Sequence, residues 1–235
     1  MKSREVILEE FQKAPENTLI VTSKLYRKKF SNIMSEAAFA QTISRLAKKG
    51  EIRRVSKGIY CRPRKSRFGI VPPSDREIAD IYTGRSDGMI VGYGLYNSLG
   101  ISTQISKRLT AYSALADEQV KQIGAVTIHR YDLKYTDQVK SIISLMEILH
   151  HYYEIQDIDH SAFIRSVQAL SKNYSDSAFV RVQKAIGYPK RTVAFLRDAL
   201  NYYQIPNGLN RYLSELSCYR VPRMEDLYEA AQKSN

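Results

Sequence analysis

The stretch Ser35–Cys61, SEAAFAQTISRLAKKGEIRRVSKGIYC, changes its pattern of apolar residues at Gly50. Before Gly50 the apolar residues recur at helical spacing, which predicts a helix with one buried face. They are Phe39, Ile43, Leu46 and Ala47. After Gly50 apolar and charged residues alternate, which predicts two short strands separated by a turn at 56–58. Ser35 is suited to cap the helix, and Gly50 to end it in a left-handed conformation.

Two shorter amphipathic segments precede this stretch. The first runs from Ser3 to Gln12, before Pro15, and the second begins at Thr22 or Ser23 and continues to Phe30. Three helices followed by a hairpin with a basic tip are typical of a winged helix-turn-helix, in which the third helix enters the major groove. The sequence therefore predicts such a domain over residues 1–62.

The outward face of the third helix and the hairpin carry side chains suited to DNA. Arginine addresses guanine and glutamine addresses adenine, while small residues such as Ala37 let the backbone approach a groove. Basic residues on the wing meet phosphates or the minor groove. The predicted DNA-binding residues are Ser35, Ala38, Gln41, Thr42, Arg45, Lys48, Arg53, Arg54, Lys57, Arg27 and Lys28. The alternatives are that these basic faces are merely solvated, or that the domain binds RNA or protein.

The distribution of charge supports a polyanion as the ligand. The formal net charge is +12. Residues 1–67 hold 17 Lys and Arg against 6 Asp and Glu, and residues 68–235 hold 19 against 18. A basic module joined to a nearly neutral one is typical of a protein that binds nucleic acid and carries a second function. We expect double-stranded DNA as the partner of the first module.

The remainder of the chain predicts a linker and a second domain. Residues 63–75 combine prolines, a glycine and a basic run, which is typical of a linker. This linker either lies along the DNA backbone or is solvated. In residues 76–235 the segments 108–113 and 125–131 predict a small antiparallel sheet, and long apolar stripes from Asp137 onward predict several helices. The predicted class is α+β and mostly helical, with a winged helix-turn-helix before a larger C-terminal domain.

The sequence offers little that is typical of an enzyme or a cofactor site. Gly92 and Gly94 lack the spacing of a phosphate-binding loop. His150 and His151 diverge by about 100° on a helix and cannot chelate one metal as a pair four apart would. We expect no catalytic residues, no metal and no cofactor.

Targeting signals are equally sparse. No apolar run approaches the length of a membrane span, the first residues do not resemble a signal peptide, and only two cysteines occur. A cytoplasmic protein that does not bind membranes is the expectation. The 17 tyrosines include several in the helical half that suit a protein-binding surface or a partly exposed core.

Four stretches resemble the AbiEi family of antitoxins from type IV toxin–antitoxin systems. They are RLAKKGEIRRVSKGIY (45–60), RFGIVPPSDREIA (67–79), GYGLYNSLGISTQIS (92–106) and, more weakly, GYPKRTVAFLRDAL (187–200). The resemblance implies a winged helix that represses the promoter of its own operon by binding repeats. It also implies a C-terminal domain that counteracts a nucleotidyltransferase-like toxin, with or without direct contact.

Three hypotheses follow from these observations. The first is an antitoxin that represses its own operon. The second is a winged-helix transcription regulator whose C-terminal domain senses a small molecule. The third is an enzyme acting on nucleic acid, with the winged helix as a tether, and the absence of catalytic motifs disfavours it.

Overall fold

The computed structural model describes residues 3–84, 86–214 and 218–233. It divides into two compact units, Met1–Ile81 and Tyr82–Asn235, which we call unit 1 and unit 2. The fold is α+β and mostly helical, as predicted. Within the described ranges, no helix combines the length and the apolar character needed to cross a lipid bilayer.

Unit 1 begins with helices packed around one apolar core. Their bounds are α1 Ser3–Lys13, α2 Thr22–Leu25 and α3 Glu36–Lys48, and a π-helical turn, Tyr26–Phe30, continues α2. The core consists of buried side chains from α1, the π-helical turn and α3, and from the residue before the wing. They are Ile7, Phe11, Phe30, Phe39, Ile43, Leu46 and Ile52. The stripe predicted from the spacing of apolar residues therefore faces the core, with Ala47 half-buried at its edge.

A three-stranded antiparallel sheet completes the winged helix-turn-helix arrangement. Its strands are β1 Ile20–Val21, β2 Arg53–Ser56 and β3 Ile59–Cys61, in the order β1-β3-β2. The register shifts between Arg54 and Ser56, so one strand carries an extra residue there. The wing predicted for this stretch is confirmed, although its first strand begins at Arg53 rather than at Glu51.

The segment predicted as a linker, 63–75, instead contains a hairpin. Strands β4 Arg64–Ser66 and β5 Gly69–Val71 pair antiparallel, and helix α4 follows at Asp75–Thr83. The buried Asn17 side chain holds both strands, since its amide nitrogen donates to the Val71 carbonyl (3.2 Å) and its oxygen accepts from the Arg64 amide (3.3 Å). The basic residues that suggested a flexible linker are therefore the exposed side chains of an anchored hairpin.

Unit 2 contains a four-stranded sheet in the order β6-β7-β9-β8. Its strands are β6 Gly88–Val91, β7 Leu109–Ser113, β8 Val120–Ile123 and β9 Val126–Arg130. The two segments predicted as antiparallel neighbours, β7 and β9, pair in parallel. The prediction was wrong because it missed β8, which reverses the chain between them. Two reversals return β9 to the direction of β7.

Helices pack against this sheet and form the larger core. Their bounds are α5 Tyr93–Ser98, α6 Asp137–His150, α7 His160–Ser171, α8 Asp176–Ile186, α9 Lys190–Tyr202 and α10 Met224–Lys233. Helix α6 is buried along almost its whole length, as its apolar stripe predicted. The helix predicted at about 208–216 is a short 3₁₀ turn, Leu209–Tyr212; positions 215 and 216 of that prediction lie outside the described residues.

Candidate nucleic-acid interface

Helix α3 separates a buried face from an exposed polar face. The Ser35 hydroxyl caps it by accepting a hydrogen bond from the Ala38 amide (3.3 Å). Opposite the core stripe the exposed residues recur at three- and four-residue spacing. They are Ala38, Gln41, Arg45 and Lys48. These four predicted contact residues therefore share one solvent-facing side of the helix.

Two other predicted residues on α3 are already engaged within the helix. The Thr42 side chain is half-buried, and its hydroxyl donates to the Ala38 carbonyl at 2.9 Å. The Ser35 hydroxyl serves as the cap described above. Both hydroxyls are engaged in these backbone hydrogen bonds. The longer side chains of Gln41, Arg45 and Lys48 are therefore better placed to reach base edges.

Aromatic packing fixes the position of α3 against the preceding segment. The Phe39 ring centroid lies 5.4 Å from that of Tyr26 and 5.2 Å from that of Phe30. The Tyr26 hydroxyl donates to the Met34 carbonyl at 2.9 Å and so fixes the turn before α3. A backbone bond from Ser31 to the Tyr26 carbonyl closes the π-helical turn. The exposed face of α3 is thus presented from a rigid support.

Arg27 and Lys28 lie on this π-helical turn, and both are exposed. The Arg27 Nε donates to the Ser23 carbonyl at 3.3 Å, which directs part of its guanidinium along its own helix. The remaining guanidinium nitrogens and the Lys28 ammonium face solvent. Both residues are therefore available to phosphates.

The wing presents its three predicted basic residues at two depths. Arg54 and Lys57 are exposed, and Arg53 is half-buried. Lys57 lies in the turn beside Gly58, whose φ of +72° suits a residue without a side chain. The backbone amide and the hydroxyl of Thr22 both donate to the Gly58 carbonyl, at 2.9 and 3.0 Å. The tip of the wing is therefore tied to the start of α2.

The basic side chains on this surface are not neutralised within the described part of the chain. None of Arg27, Lys28, Arg45, Lys48, Arg53, Arg54 and Lys57 forms an ion pair with a described residue. Some acidic residues of unit 1 are paired with other cations. Glu10 pairs with Lys13 and Lys29, and Glu51 pairs with Arg4. The hydrogen bond from Lys29 is the main cause that lowers the pKa of the Glu10 carboxyl.

The β4–β5 hairpin is a second basic projection that the sequence analysis assigned to the linker. Arg64, Lys65 and Arg67 are exposed, and the Phe68 side chain at the tip is 86% exposed. The Arg67 guanidinium carbon lies 4.7 Å above the centroid of the Phe68 ring. The signal that could have revealed the hairpin is the apolar and small sequence Gly69-Ile70-Val71, which returns after a basic strand.

Among the described residues, no three His, Cys, Asp or Glu side chains are grouped so that they could hold a metal ion. Burial raises the pKa of the Cys61 thiol, which keeps it in its unreactive form.

Residues 7–146 match the model of a family described as "Family of unknown function (DUF6088)". No curated protein matches the chain. Among solved structures, the crystal structure of the RV2827C protein from Mycobacterium tuberculosis aligns with a TM-score of 0.40 and 12% sequence identity. That alignment covers 82% of this chain and 75% of the other.

Proposed function

We propose that this chain, which belongs to the DUF6088 family, binds double-stranded DNA through unit 1 and represses its own promoter. One observation carries the proposal. Seven cationic side chains on α3, the wing and the preceding turn have no ion-pair partner among the described residues. Because a polyanion releases its condensed counterions when such side chains approach, this surface favours DNA over solvent alone.

Helix α3 is the element that we place in the major groove. Arg45 is suited to guanine and Gln41 to adenine, since each can make two hydrogen bonds to its base. The small Ala38 side chain between the helix start and Gln41 allows close approach of the backbone. Lys48, one turn beyond Arg45, is suited to a phosphate at the edge of the groove.

The two hairpins are the elements that we place on the DNA backbone. Arg54 and Lys57 on the wing and Lys65 on the β4–β5 hairpin are suited to phosphates. Phe68 is an exposed ring with cationic neighbours, a combination that minor-groove proteins insert between base steps. In this proposal the hairpin acts as a second wing.

Binding of the full chain to its own upstream DNA tests this proposal at several salt concentrations. Arg45→Ala is expected to relax sequence preference, because it removes a base contact. Arg53→Ala and Lys57→Ala are expected to weaken binding to every sequence and to lower the salt slope by about 1 for each lost phosphate contact. Lys107→Ala, an exposed charge in unit 2, serves as the matched control. Equal effects of all four changes would contradict the assignment of helix and wing.

We further propose that unit 2 counteracts a nucleotidyltransferase-like toxin encoded by a neighbouring gene, by direct contact or by opposing its effect. This part of the proposal is supported by the resemblance of residues 92–106 and 187–200 of unit 2 to AbiEi antitoxins.

Co-expression of the full chain with that neighbouring gene tests the antitoxin role. We expect rescue of growth by the wild type and by an Arg45→Ala, Arg53→Ala, Lys57→Ala triple variant that no longer binds DNA. Co-purification then distinguishes direct contact from an opposing effect. Failure of both chains to rescue growth, or the absence of a toxic neighbour, would remove the antitoxin role and leave DNA binding to be judged by its own assay.

A further inference from the structure

Unit 2 contains a cavity of about 380 Å³ between the start of α5, the strand β7 and the end of α6. That volume lies in the range of small-molecule sites. Its lining combines three tyrosines with carboxylates and histidines, chiefly Tyr93, Tyr96, Tyr112, Glu147, His151 and Glu154. None of these residues has a place in the proposed DNA surface.

The three tyrosines form an aromatic wall. The ring centroids of Tyr93 and Tyr96 lie 5.5 Å apart at an interplanar angle of 69°. Tyr112 adds a third ring, which meets the ring of His129 edge-on at 5.9 Å. The Tyr93 hydroxyl is fixed by the Gln156 amide, which donates to it at 3.1 Å. The face of a tyrosine ring attracts a cation.

A buried carboxylate lies behind this wall. Glu147 is only 2% exposed and lies on helix α6, which is almost fully buried. Its Oε1 accepts hydrogen bonds from the hydroxyls of Tyr112 (2.9 Å) and Tyr188 (2.6 Å). Its Oε2 lies 3.9 Å from His151 Nε2, which is beyond hydrogen-bond distance. Oε2 therefore has no hydrogen-bond donor among the described residues, and Glu147 lines the cavity, so a ligand there could donate to this oxygen.

The charges that line the cavity have the opposite sign to the charge of the whole protein. The formal net charge of the chain is +12, yet none of the described residues lining this cavity is Lys or Arg. Glu154 adds a second carboxylate, whose Oε2 lies 2.7 Å from His151 Nδ1. Burial and the nearby Glu147 charge raise the pKa values of the Tyr96 and Tyr112 hydroxyls, so these groups remain protonated donors.

We propose that this cavity binds a small organic cation with N–H donors, a protonated amine or a guanidinium compound. The nitrogen of the ligand donates to Glu147 Oε2, and its methylene groups pack on the tyrosine rings. A quaternary ammonium would lack the required donor. The inference does not rest on the proposed DNA binding, because the cavity lies wholly within unit 2 and its test contains no DNA.

Titration calorimetry on the full chain tests the proposal with putrescine and agmatine as probes. The neutral 1,4-butanediol, which matches putrescine in length, is the control ligand, and adenosine tests a neutral molecule that only stacks. We expect saturable binding of at least one amine with a Kd below about 1 mM and none of butanediol. The high positive charge of the protein disfavours non-specific binding of either amine.

Two variants locate the binding. Glu147→Gln keeps the size and the acceptor for the tyrosines but removes the charge, and is expected to weaken amine binding about 10- to 100-fold. Glu118→Gln, an exposed carboxylate of unit 2 away from the lining, is the matched control and is expected to bind as the wild type. If Glu147→Gln does not fold, Tyr93→Leu replaces it, with an expected loss of about threefold or more from the missing ring face.

The proposal is overturned by any of four results. These are no binding of either amine, equal binding of butanediol, binding of adenosine alone, and wild-type affinity in the folded Glu147→Gln or Tyr93→Leu variant. Amine binding that depends on Glu147 would also support the second hypothesis, a transcription regulator that senses a small molecule, and would identify its ligand site.

Discussion

The two units place their charged residues in opposite ways. In unit 1 the cations of α3 and the wing lie at or near the surface without ion pairs to described residues, while Glu10 and Glu51 form ion pairs with other cations. In unit 2 the most informative charge, Glu147, is buried beneath tyrosine hydroxyls at the wall of a cavity. Unpaired cations at the surface suit a large polyanion, which releases its condensed counterions when they bind. A buried carboxylate with one oxygen that lacks a hydrogen-bond donor among the described residues suits a small ligand that can supply one.

This difference also explains why composition indicates the binding surface of unit 1 but gives no sign of the cavity in unit 2. An excess of surface cations changes the net charge of residues 1–67, so it is visible in the sequence. Glu147 lies within the apolar helix α6, whose burial its stripe predicted, but the sequence does not indicate which hydroxyls contact this carboxylate.

The largest expected effect is a loss of stability in unit 1 that leaves unit 2 folded. Leu46→Ala, at a side chain with no exposed surface, is expected to destabilise unit 1 by about 2–5 kcal/mol. Hydrogen exchange of the full chain is the measurement, with amide protection lost in α1 to β3 and kept in α6 and α9. Leu8→Ala, at a half-buried position of the same core, is expected to cost less. Equal loss of protection in α6 would mean that the two units do not unfold separately.

A hydroxyl deletion tests the buried charge of unit 2. Tyr188→Phe removes the shorter of the two hydrogen bonds to Glu147 and is expected to cost about 1.5–3 kcal/mol, because the acceptor is charged and buried. Denaturant unfolding measures the loss. Tyr153→Phe, at an exposed ring, is the control and is expected to change little. A cost near zero would show that the carboxylate does not depend on this donor.

The turn of the wing gives a smaller effect. Gly58→Ala is expected to destabilise unit 1 by about 1–2 kcal/mol, since an alanine at positive φ is strained. The added Cβ itself would meet only Thr22 Oγ1, at an ordinary 3.8 Å, so crowding contributes nothing. Thermal unfolding of Gly58→Asn provides the comparison, because asparagine tolerates this conformation better. If both variants lost the same stability, strain at this residue would not be the cause.

The smallest expected effect concerns the ion pairs of Glu10 with Lys13 and Lys29. Glu10→Gln is expected to cost less than about 1 kcal/mol at neutral pH. Because the pKa of Glu10 is lowered in the folded chain, its contribution is present above its ordinary value of 4.5 and is lost as the pH falls through the folded value. Urea unfolding of wild type and variant should therefore differ at pH 7 and converge in acid. The exposed Glu16→Gln should match the wild type throughout.

Local patterns in the sequence were sufficient to predict helix α3 and the wing of unit 1. The Ser35 cap, the stripe at Phe39, Ile43 and Leu46, and the stop at Gly50 are all present in the structure. These features act within a few residues of one another, so spacing alone reveals them. The anchored β4–β5 hairpin was missed because its anchor, Asn17, lies 47 residues before Arg64.

Longer-range features were beyond the reach of the sequence. The short strand β8 carries only four residues, and missing it reversed the predicted direction of β9 relative to β7. The cavity of unit 2 brings together Tyr93, Tyr112 and Glu147 from three separate elements. Sequence spacing contains no signal for such a meeting, whereas the exposed cations of unit 1 follow one another along the chain.

The Asn17 anchor has a consequence for how this protein could diversify. Its amide holds the two strands at Arg64 and Val71, the base of the β4–β5 hairpin, while 67–70 make no hydrogen bond to described residues of unit 1 outside the hairpin. The tip can therefore change its length or its residues without disturbing the core. Contacts of the tip with a ligand could thus change while the rest of the scaffold stays the same.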